Sequence, residues 1–211
     1  MNRFFRILPL SLICSLAMLG ANCVQVEAQV KIGEKAPEFP MTGADGKEHK
    51  LSDYLGKTVV LEWFNHDCPF VKKHYDASVQ NMQNLQKSAT DDGVVWVSIN
   101  SSAEGKQGHL TTEQAIKITA EKAAHPSVIL LDSNGKIGKL YGARTTPHMF
   151  VIDKAGILRY MGAIDSTAST DASDISASKN YVSQALTELK AGKPVSEPTT
   201  EAYGCSVKYG L

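Results

Sequence analysis

The 211-residue chain is poor in cysteine and has no excess of charge of either sign. It contains four cysteines, and its 22 Lys and Arg residues equal its 22 Asp and Glu residues, so the formal net charge is zero. A neutral chain offers no broad cationic surface for nucleic acid or for an anionic membrane. We therefore expect no nucleic-acid partner and, apart from its N-terminal segment, no membrane partner.

The N-terminal apolar run, residues 7–19, is too short to span a bilayer comfortably. Two arginines precede it, and small residues at Val26 and Ala28 occupy the −3 and −1 positions of a cleavage site. This layout is typical of a secretory signal peptide. The sequence therefore predicts a signal peptide at 1–28 and a periplasmic or secreted protein. The alternatives are an uncleaved anchor and lipid attachment at Cys23.

Removal of residues 1–28 leaves two cysteines, Cys68 and Cys205. In an oxidising compartment these two residues can form one disulfide. The remaining chain is long enough for one domain with a substantial core, which does not need a disulfide for its stability. We expect this domain to comprise residues 29–195 and to be followed by a polar C-terminal tail, residues 196–211, that carries Cys205.

Apolar strands and amphipathic helices alternate along the domain. Strands are predicted at 58–64, 94–99, 127–131, 149–153 and 157–161, the last two as a hairpin. Helices are predicted from Pro69 through Leu85 and at 111–124, 136–141 and 181–191. Strands separated by helices predict an α/β fold, in which a central mixed sheet has helices on both faces.

Cys68 follows the first buried strand, and the active sites of such sheets lie beyond the carboxyl ends of the strands. Pro69 comes next and is a residue favoured at the first position of a helix. The exposed N–H groups at a helix start stabilise a thiolate, which is the nucleophilic form of cysteine. We therefore predict that Cys68 is a nucleophile. The alternative is a small buried apolar residue.

Two segments resemble a known superfamily: VVLEWFNHDCPFV at 59–71 and LLDSNGKIGKLYGARTTPHMFVIDKAGIL at 130–158. They are similar to thioredoxin-like proteins, in particular the redoxins of the alkyl hydroperoxide reductase type and the exported thiol–disulfide reductases. The resemblance covers roughly residues 31–162. It implies a thioredoxin-like fold and a thiol-dependent oxidoreductase without cofactor or metal. The implied substrates are a peroxide or a protein disulfide, with an external thiol as reductant.

The same resemblance assigns roles to Thr146 and Pro147. Pro147 would be the cis-proline that faces the active-site cysteine. Thr146 would offer its backbone to an extended substrate, as the edge of a sheet does to a peptide.

The sequence departs from both subfamilies around Cys68. Dithiol thioredoxins carry a second cysteine where this chain has Val71, so Cys68 has no neighbouring thiol. Peroxidases carry Thr or Ser where this chain has Asn65, and we expect Asn65 to donate a hydrogen bond to the sulfur or to a peroxide oxygen. Peroxidases also carry an arginine near the thiolate, and Pro147 occupies that position here. Arg144 lies close by in the sequence and could substitute for it, but we expect Arg144 to be a solvated loop residue.

Cys205 is the candidate partner of Cys68, because an extended tail can span the distance between them. We predict that it acts as a resolving thiol, which attacks the oxidised form of Cys68. A static disulfide and an unpaired tail thiol are the alternatives.

Four polar residues flank Cys68: His66, Lys72, Lys73 and His74. The lysines could favour its thiolate and the histidines could act as general acid or base. We expect instead that the lysines are solvated and that the histidines are surface or capping residues. With His148 and the two cysteines, these histidines could also supply ligands for copper or zinc. A thioredoxin-like copper-binding or copper-delivery protein is therefore the alternative function from a different class.

Overall fold

A computed structural model describes residues 30–210 of the chain. The predicted signal peptide, residues 1–28, lies outside the described residues. Among residues 30–210, no helix is long and apolar enough to cross a membrane.

The described chain contains nine strands, five α-helices and two 3-10 helices. The strands are β1 (Met41–Thr42), β2 (Glu48–His49), β3 (Val59–Trp63), β4 (Val95–Asn100), β5 (Val128–Leu131), β6 (Thr145–Thr146), β7 (His148–Ile152), β8 (Leu158–Gly162) and β9 (Cys205–Ser206). The α-helices are α1 (Pro69–His74), α2 (Asn81–Asp91), α3 (Thr112–Glu121), α4 (Lys136–Tyr141) and α5 (Tyr181–Lys190). The 3-10 helices are Leu51–Tyr54 and Ala172–Ala177.

The central sheet has the strand order β5-β4-β3-β7-β8. β3, β4 and β5 are parallel, whereas β7 is antiparallel to both β3 and β8. Val59 in the centre of the sheet pairs with Val95 on one side and Ile152 on the other. The mixed sheet confirms the expected α/β architecture, and its order is that of the thioredoxin-like fold.

Alternate residues of β3 point to opposite faces of the sheet, as the two-residue period of a strand requires. Val60 belongs to a core that includes α2, α3 and α5 residues, whereas Leu61 and Trp63 belong to a second core with α4. All five β3 residues are buried. Helices therefore cover both faces, and the continuous apolar run in the sequence reflects burial on both sides.

The helix predicted from Pro69 through Leu85 is two helices, and the prediction of one helix is wrong. α1 ends at His74, and α2 begins after Gln80, which has a left-handed backbone conformation with φ 53°. The Asp76 carboxylate accepts hydrogen bonds from the Ser78 backbone N–H at 2.9 Å and from the Ser78 hydroxyl at 2.5 Å. This local side-chain turn competes with helical hydrogen bonding and interrupts the helix.

The C-terminal tail is ordered along the domain and forms a strand that the sequence did not predict. The Thr200 hydroxyl accepts a hydrogen bond from the Ala163 N–H at 2.9 Å and lies 2.6 Å from the Tyr160 hydroxyl. Beyond this contact, β9 pairs antiparallel with β6. The tail thus returns from α5 to the end of the sheet that carries Cys68.

Candidate active site

Cys68 lies beyond the carboxyl end of β3 and is the N-cap residue of α1. Pro69 begins the helix, as predicted, and the Cys68 N–H donates to the Asn65 carbonyl oxygen at 3.0 Å. The side chain is fully buried and belongs to the core that includes Val71. The turn between β3 and α1 therefore fixes the position of the Cys68 sulfur in the core.

The structure brings Cys205 into direct contact with Cys68. Their sulfur atoms are 2.6 Å apart. The Thr146 carbonyl oxygen is 3.1 Å from the Cys68 sulfur and accepts its proton in the thiol form. Cys205 is only partly buried, whereas Cys68 has no exposed surface. The sequence separation of 137 residues is closed by the folding of the tail.

The pKa values of the two thiols are shifted in opposite directions. Burial raises the pKa of the Cys68 thiol, but hydrogen bonds from the Cys205 thiol and the Val71 N–H favour the thiolate, and together the interactions lower its pKa below the ordinary value. Burial, the hydrogen bond with Cys68 and the charge of its thiolate raise the pKa of Cys205 to about 11. The arrangement therefore suits a Cys68 thiolate beside a protonated Cys205.

The bond between Thr146 and Pro147 is cis, the geometry that the resemblance implied. Thr146 is the residue of β6 that pairs directly with Cys205 of β9. The backbone edge expected to receive an extended substrate is therefore occupied by the tail of the same chain.

Asn65 is buried next to the cysteine, but both ends of its amide have other partners. Its Oδ1 accepts from the Asp67 N–H at 2.9 Å, and its Nδ2 donates to the Gln107 carbonyl oxygen at 3.2 Å. A Cβ on Gly108 would overlap the Asn65 side chain. Asn65 thus ties the Cys68 loop to the loop that contains Gln107, and a hydrogen bond to a peroxide oxygen stays a prediction.

Lys73 and His74 are buried, so the expectation of a solvated lysine and a surface histidine is wrong. Lys73 Nζ donates to the Thr167 carbonyl oxygen at 2.9 Å and lies 3.5 Å from the Asp165 carboxylate. Burial lowers the pKa of His74 to about 4. The Tyr203 hydroxyl donates to the same Asp165 carboxylate and lies 3.2 Å from His74 Nε2. We call Lys73, His74, Asp165 and Tyr203 the α1 polar cluster.

The remaining polar residues named from the sequence take different positions. Lys72 and Arg144 are exposed, as expected of solvated residues, and His66 is half-buried. His148 is buried at the start of β7, and its Nδ1 accepts from the Arg144 N–H at 3.3 Å. Burial lowers the pKa of His148 to about 4.

Sequence analysis did not identify Glu62, which lies in the middle of β3 and is fully buried. Its carboxyl group accepts hydrogen bonds from Trp96 Nε1, the Tyr75 hydroxyl, the Ser98 hydroxyl and Gln86 Nε2, at 2.8–3.0 Å. Burial raises the pKa of Glu62, although these donors oppose the shift. A lone acidic residue inside the apolar run TVVLEWF was the only sequence signal for this group.

The metal-binding alternative gains no support. Within residues 30–210, no group of three or more His, Cys, Asp and Glu side chains is arranged to hold a metal ion. His74 and His148 instead take part in hydrogen bonds with protein groups.

The fold and the paired thiols define a class of protein. A thioredoxin-like sheet that places a buried, acidified cysteine opposite a cis-proline turn belongs to a thiol-dependent oxidoreductase. The family model of the AhpC/TSA family matches residues 32–161, and the chain belongs to this family.

Two relatives represent the two kinds of activity within this class. The chain is 27% identical to the thiol-disulfide oxidoreductase ResA of Bacillus thuringiensis subsp. konkukian (strain 97-27) over 154 residues, which cover 72% of this chain and 82% of the relative. It is 31% identical to the selenocysteine-containing peroxiredoxin PrxU of Peptoclostridium acidaminophilum over 140 residues, which cover 62% of this chain and 66% of the relative.

A similar solved structure extends the likeness beyond the family segment. An uncharacterized conserved protein from Geobacillus kaustophilus superposes with a TM-score of 0.72 and 25% sequence identity. The match covers 87% of this chain and 94% of that protein.

Proposed function

We propose that the chain is an exported thiol oxidoreductase in which Cys68 is the nucleophile and Cys205 the resolving thiol. The observation that carries this proposal is the 2.6 Å contact between the two sulfur atoms. The lowered pKa of Cys68 and the raised pKa of Cys205 support the same assignment. The thiolate is the nucleophilic form of cysteine, so Cys68 attacks the substrate first while Cys205 is still protonated.

The oxidised substrate is a peroxide or a disulfide. With a peroxide, the Cys68 sulfur forms a bond to one oxygen as the O–O bond breaks, and the second oxygen leaves as an alcohol or water. Cys205 then attacks the sulfenic sulfur, and water leaves as the disulfide forms. With a disulfide substrate, Cys68 displaces one thiol and Cys205 displaces the other. In both cycles an external thiol reductant restores the two cysteines.

Three further residues serve this site in the proposal. Thr146 presents its backbone beside the reacting sulfur, and Pro147 sets the direction of that turn. Asn65 holds the Cys68 loop and donates a hydrogen bond to the oxygen of a bound peroxide. The signal-peptide pattern at 1–28 supports activity in the periplasm or outside the cell, with no nucleic-acid or membrane partner for the mature protein.

The test follows the thiols by mass after reduced protein is mixed with one equivalent of hydrogen peroxide. We expect the wild type to lose two hydrogens as it forms an intramolecular disulfide. The Cys205→Ser variant should instead accumulate a sulfenic acid that a dimedone probe traps on Cys68. The Cys68→Ser variant is the matched control and should not react. Oxidation of Cys68 no faster than that of a free thiol contradicts peroxide as the substrate, and the same assay with a disulfide then decides the remaining case.

A further inference from the structure

Residues 203–209, which we call the tail latch, cover Cys68 and are held on both sides of Cys205. In the middle of the latch, β9 pairs with Thr145 and Thr146. The Val207 N–H extends this contact by donating to the Arg144 carbonyl oxygen at 2.9 Å. An extended polypeptide that presented a disulfide to Cys68 would need the same backbone edge. The latch and a polypeptide substrate therefore compete for one surface.

The first anchor of the latch is Tyr203. Its hydroxyl donates to Asp165 within the α1 polar cluster, and its ring packs edge-on against Phe70 with centroids 5.8 Å apart. Because Asp165 is itself buried beside Lys73, the anchor joins the latch to the helix that Cys68 caps. Movement of the tail at this end must break the hydrogen bond from Tyr203 to a buried carboxylate.

The second anchor is Tyr209, on the other side of Cys205. Its hydroxyl donates to the Ala143 carbonyl oxygen at 2.8 Å. Its ring lies on Gly135 and Gly138, where a Cβ at either position would overlap the ring. The Lys208 carbonyl oxygen accepts from the Ala103 N–H at 2.9 Å. Two glycines thus form a slot for one aromatic ring.

Gly204 allows the latch to approach the turn closely. Its φ is +132°, and a Cβ there would overlap the Thr146 carbonyl oxygen. Because the latch is part of the chain, its effective concentration at this edge is on the order of millimolar. A polypeptide present at micromolar concentration cannot displace it efficiently. A hydroperoxide, in contrast, needs only the two sulfur atoms to separate by the width of a small molecule.

We propose that the tail latch is a size filter, which admits low-molecular-weight hydroperoxides to Cys68 and excludes polypeptide disulfides while it is docked. This inference rests on the proposed role of Cys68 as the nucleophile. It assigns specificity to Tyr203 and Tyr209, neither of which touches the reacting atoms.

The test uses the reduced mature protein, residues 29–211, as wild type, Tyr209→Ala and Tyr209→Phe, with three rate measurements. They are the alkylation of Cys205 by iodoacetamide, the oxidation by hydrogen peroxide and the reduction of an unfolded, disulfide-bonded polypeptide. Tyr209→Ala should increase the alkylation rate and the polypeptide rate by at least about tenfold. The peroxide rate should not rise, since release of Cys205 removes a hydrogen bond that favours the Cys68 thiolate. Tyr209→Phe keeps the ring in its slot and should stay near the wild type.

Faster alkylation of Cys205 with an unchanged polypeptide rate would contradict the claim that the tail latch excludes polypeptides. If Tyr209→Ala alone leaves the alkylation rate unchanged, the double variant Tyr203→Phe/Tyr209→Ala is compared in the same way. An unchanged alkylation rate in the double variant would contradict the claim that Tyr203 and Tyr209 hold the latch. Failure of hydrogen peroxide to oxidise Cys68 in all of these proteins contradicts the peroxidase cycle. The polypeptide rates then still decide whether the latch excludes large substrates.

Discussion

Thr146 and Cys205 are direct partners in a two-stranded antiparallel ladder, so the cis-proline turn and the second thiol share one backbone edge. The Thr146 carbonyl oxygen and the Cys205 sulfur both contact the sulfur of Cys68. In the proposed function, Cys205 lies where an extended substrate would present its own cysteine. It would then take the part of the second cysteine of a local dithiol motif, whose position Val71 occupies.

The first prediction concerns Gly204, which makes the close approach of the latch possible. In Gly204→Ala, the new methyl group would overlap the Thr146 carbonyl oxygen and would hold a φ that alanine rarely adopts. We expect formation of the Cys68–Cys205 disulfide after peroxide treatment to slow by at least about tenfold, measured by quenched-flow alkylation. Gly210→Ala is the control, because a Cβ there meets only an ordinary contact with Ala103. Equal rates in the two variants would contradict the role of the ladder.

The second prediction is a pH shift at Cys68. Since the Cys205 hydrogen bond helps to lower the pKa of Cys68, Cys205→Ala should raise it. The pH profile for alkylation of Cys68 by iodoacetamide should then move to higher pH. Cys205→Ser keeps a hydroxyl donor and should shift the profile less. A midpoint that stays the same or falls in Cys205→Ala would show that Cys205 does not stabilise the thiolate.

The third prediction concerns the buried carboxyl group of Glu62. Because its pKa is raised, Glu62 keeps its proton in the folded protein at pH values at which it is ionised in the unfolded chain. This contribution to stability is therefore present at low pH and is lost as pH rises through the pKa of the folded state. Glu62→Gln, which has no such proton to lose, should lose less free energy of unfolding between about pH 5 and pH 8.

Urea denaturation at the two pH values measures this difference. Glu121→Gln is the control, since Glu121 is exposed. A dependence on pH in Glu62→Gln as steep as that of the wild type would mean that Glu62 does not change its protonation on folding.

The fourth prediction concerns the anchor at Tyr203. Tyr203→Phe keeps the ring but removes the donor to the buried Asp165 carboxylate. We expect the free energy of unfolding to fall by about 1–3 kcal/mol, because hydrogen bonds to buried charged groups are costly to lose. Thermal denaturation measures the effect, with Tyr181→Phe as the control. A variant as stable as the wild type would remove Tyr203 from the network that holds the tail.

The elements of the sheet could be predicted because their sequence patterns are strong. The apolar run that contains Leu61 and Trp63 is continuous since β3 is buried on both faces. The break between α1 and α2 could not be predicted, because Tyr75 and Met82 on either side of it are buried in the same core and keep a helix-like spacing. Hydrogen bonds from Asp76 to its neighbours, rather than periodicity, decide that boundary.

The site was only partly predictable for a similar reason. Cys68 and its position before Pro69 follow from a local pattern, whereas β9 has two residues and no periodicity. Lys73 and His74 are polar residue types that usually favour solvent, and partners distant in the sequence, Asp165, Thr167 and Tyr203, account for their burial. Long-range polar contacts of this kind leave no signal in the neighbouring sequence.

The connectivity of the oxidised cysteines tests the central claim most directly. Reduced mature protein, residues 29–211, is treated with a single equivalent of hydrogen peroxide or of a disulfide substrate, alkylated at once, digested and mapped by mass spectrometry. The account predicts one intramolecular disulfide between Cys68 and Cys205 and no other oxidised product in the first turnover. An intermolecular disulfide, or a sulfinic acid on Cys68 with Cys205 still a free thiol, would contradict it.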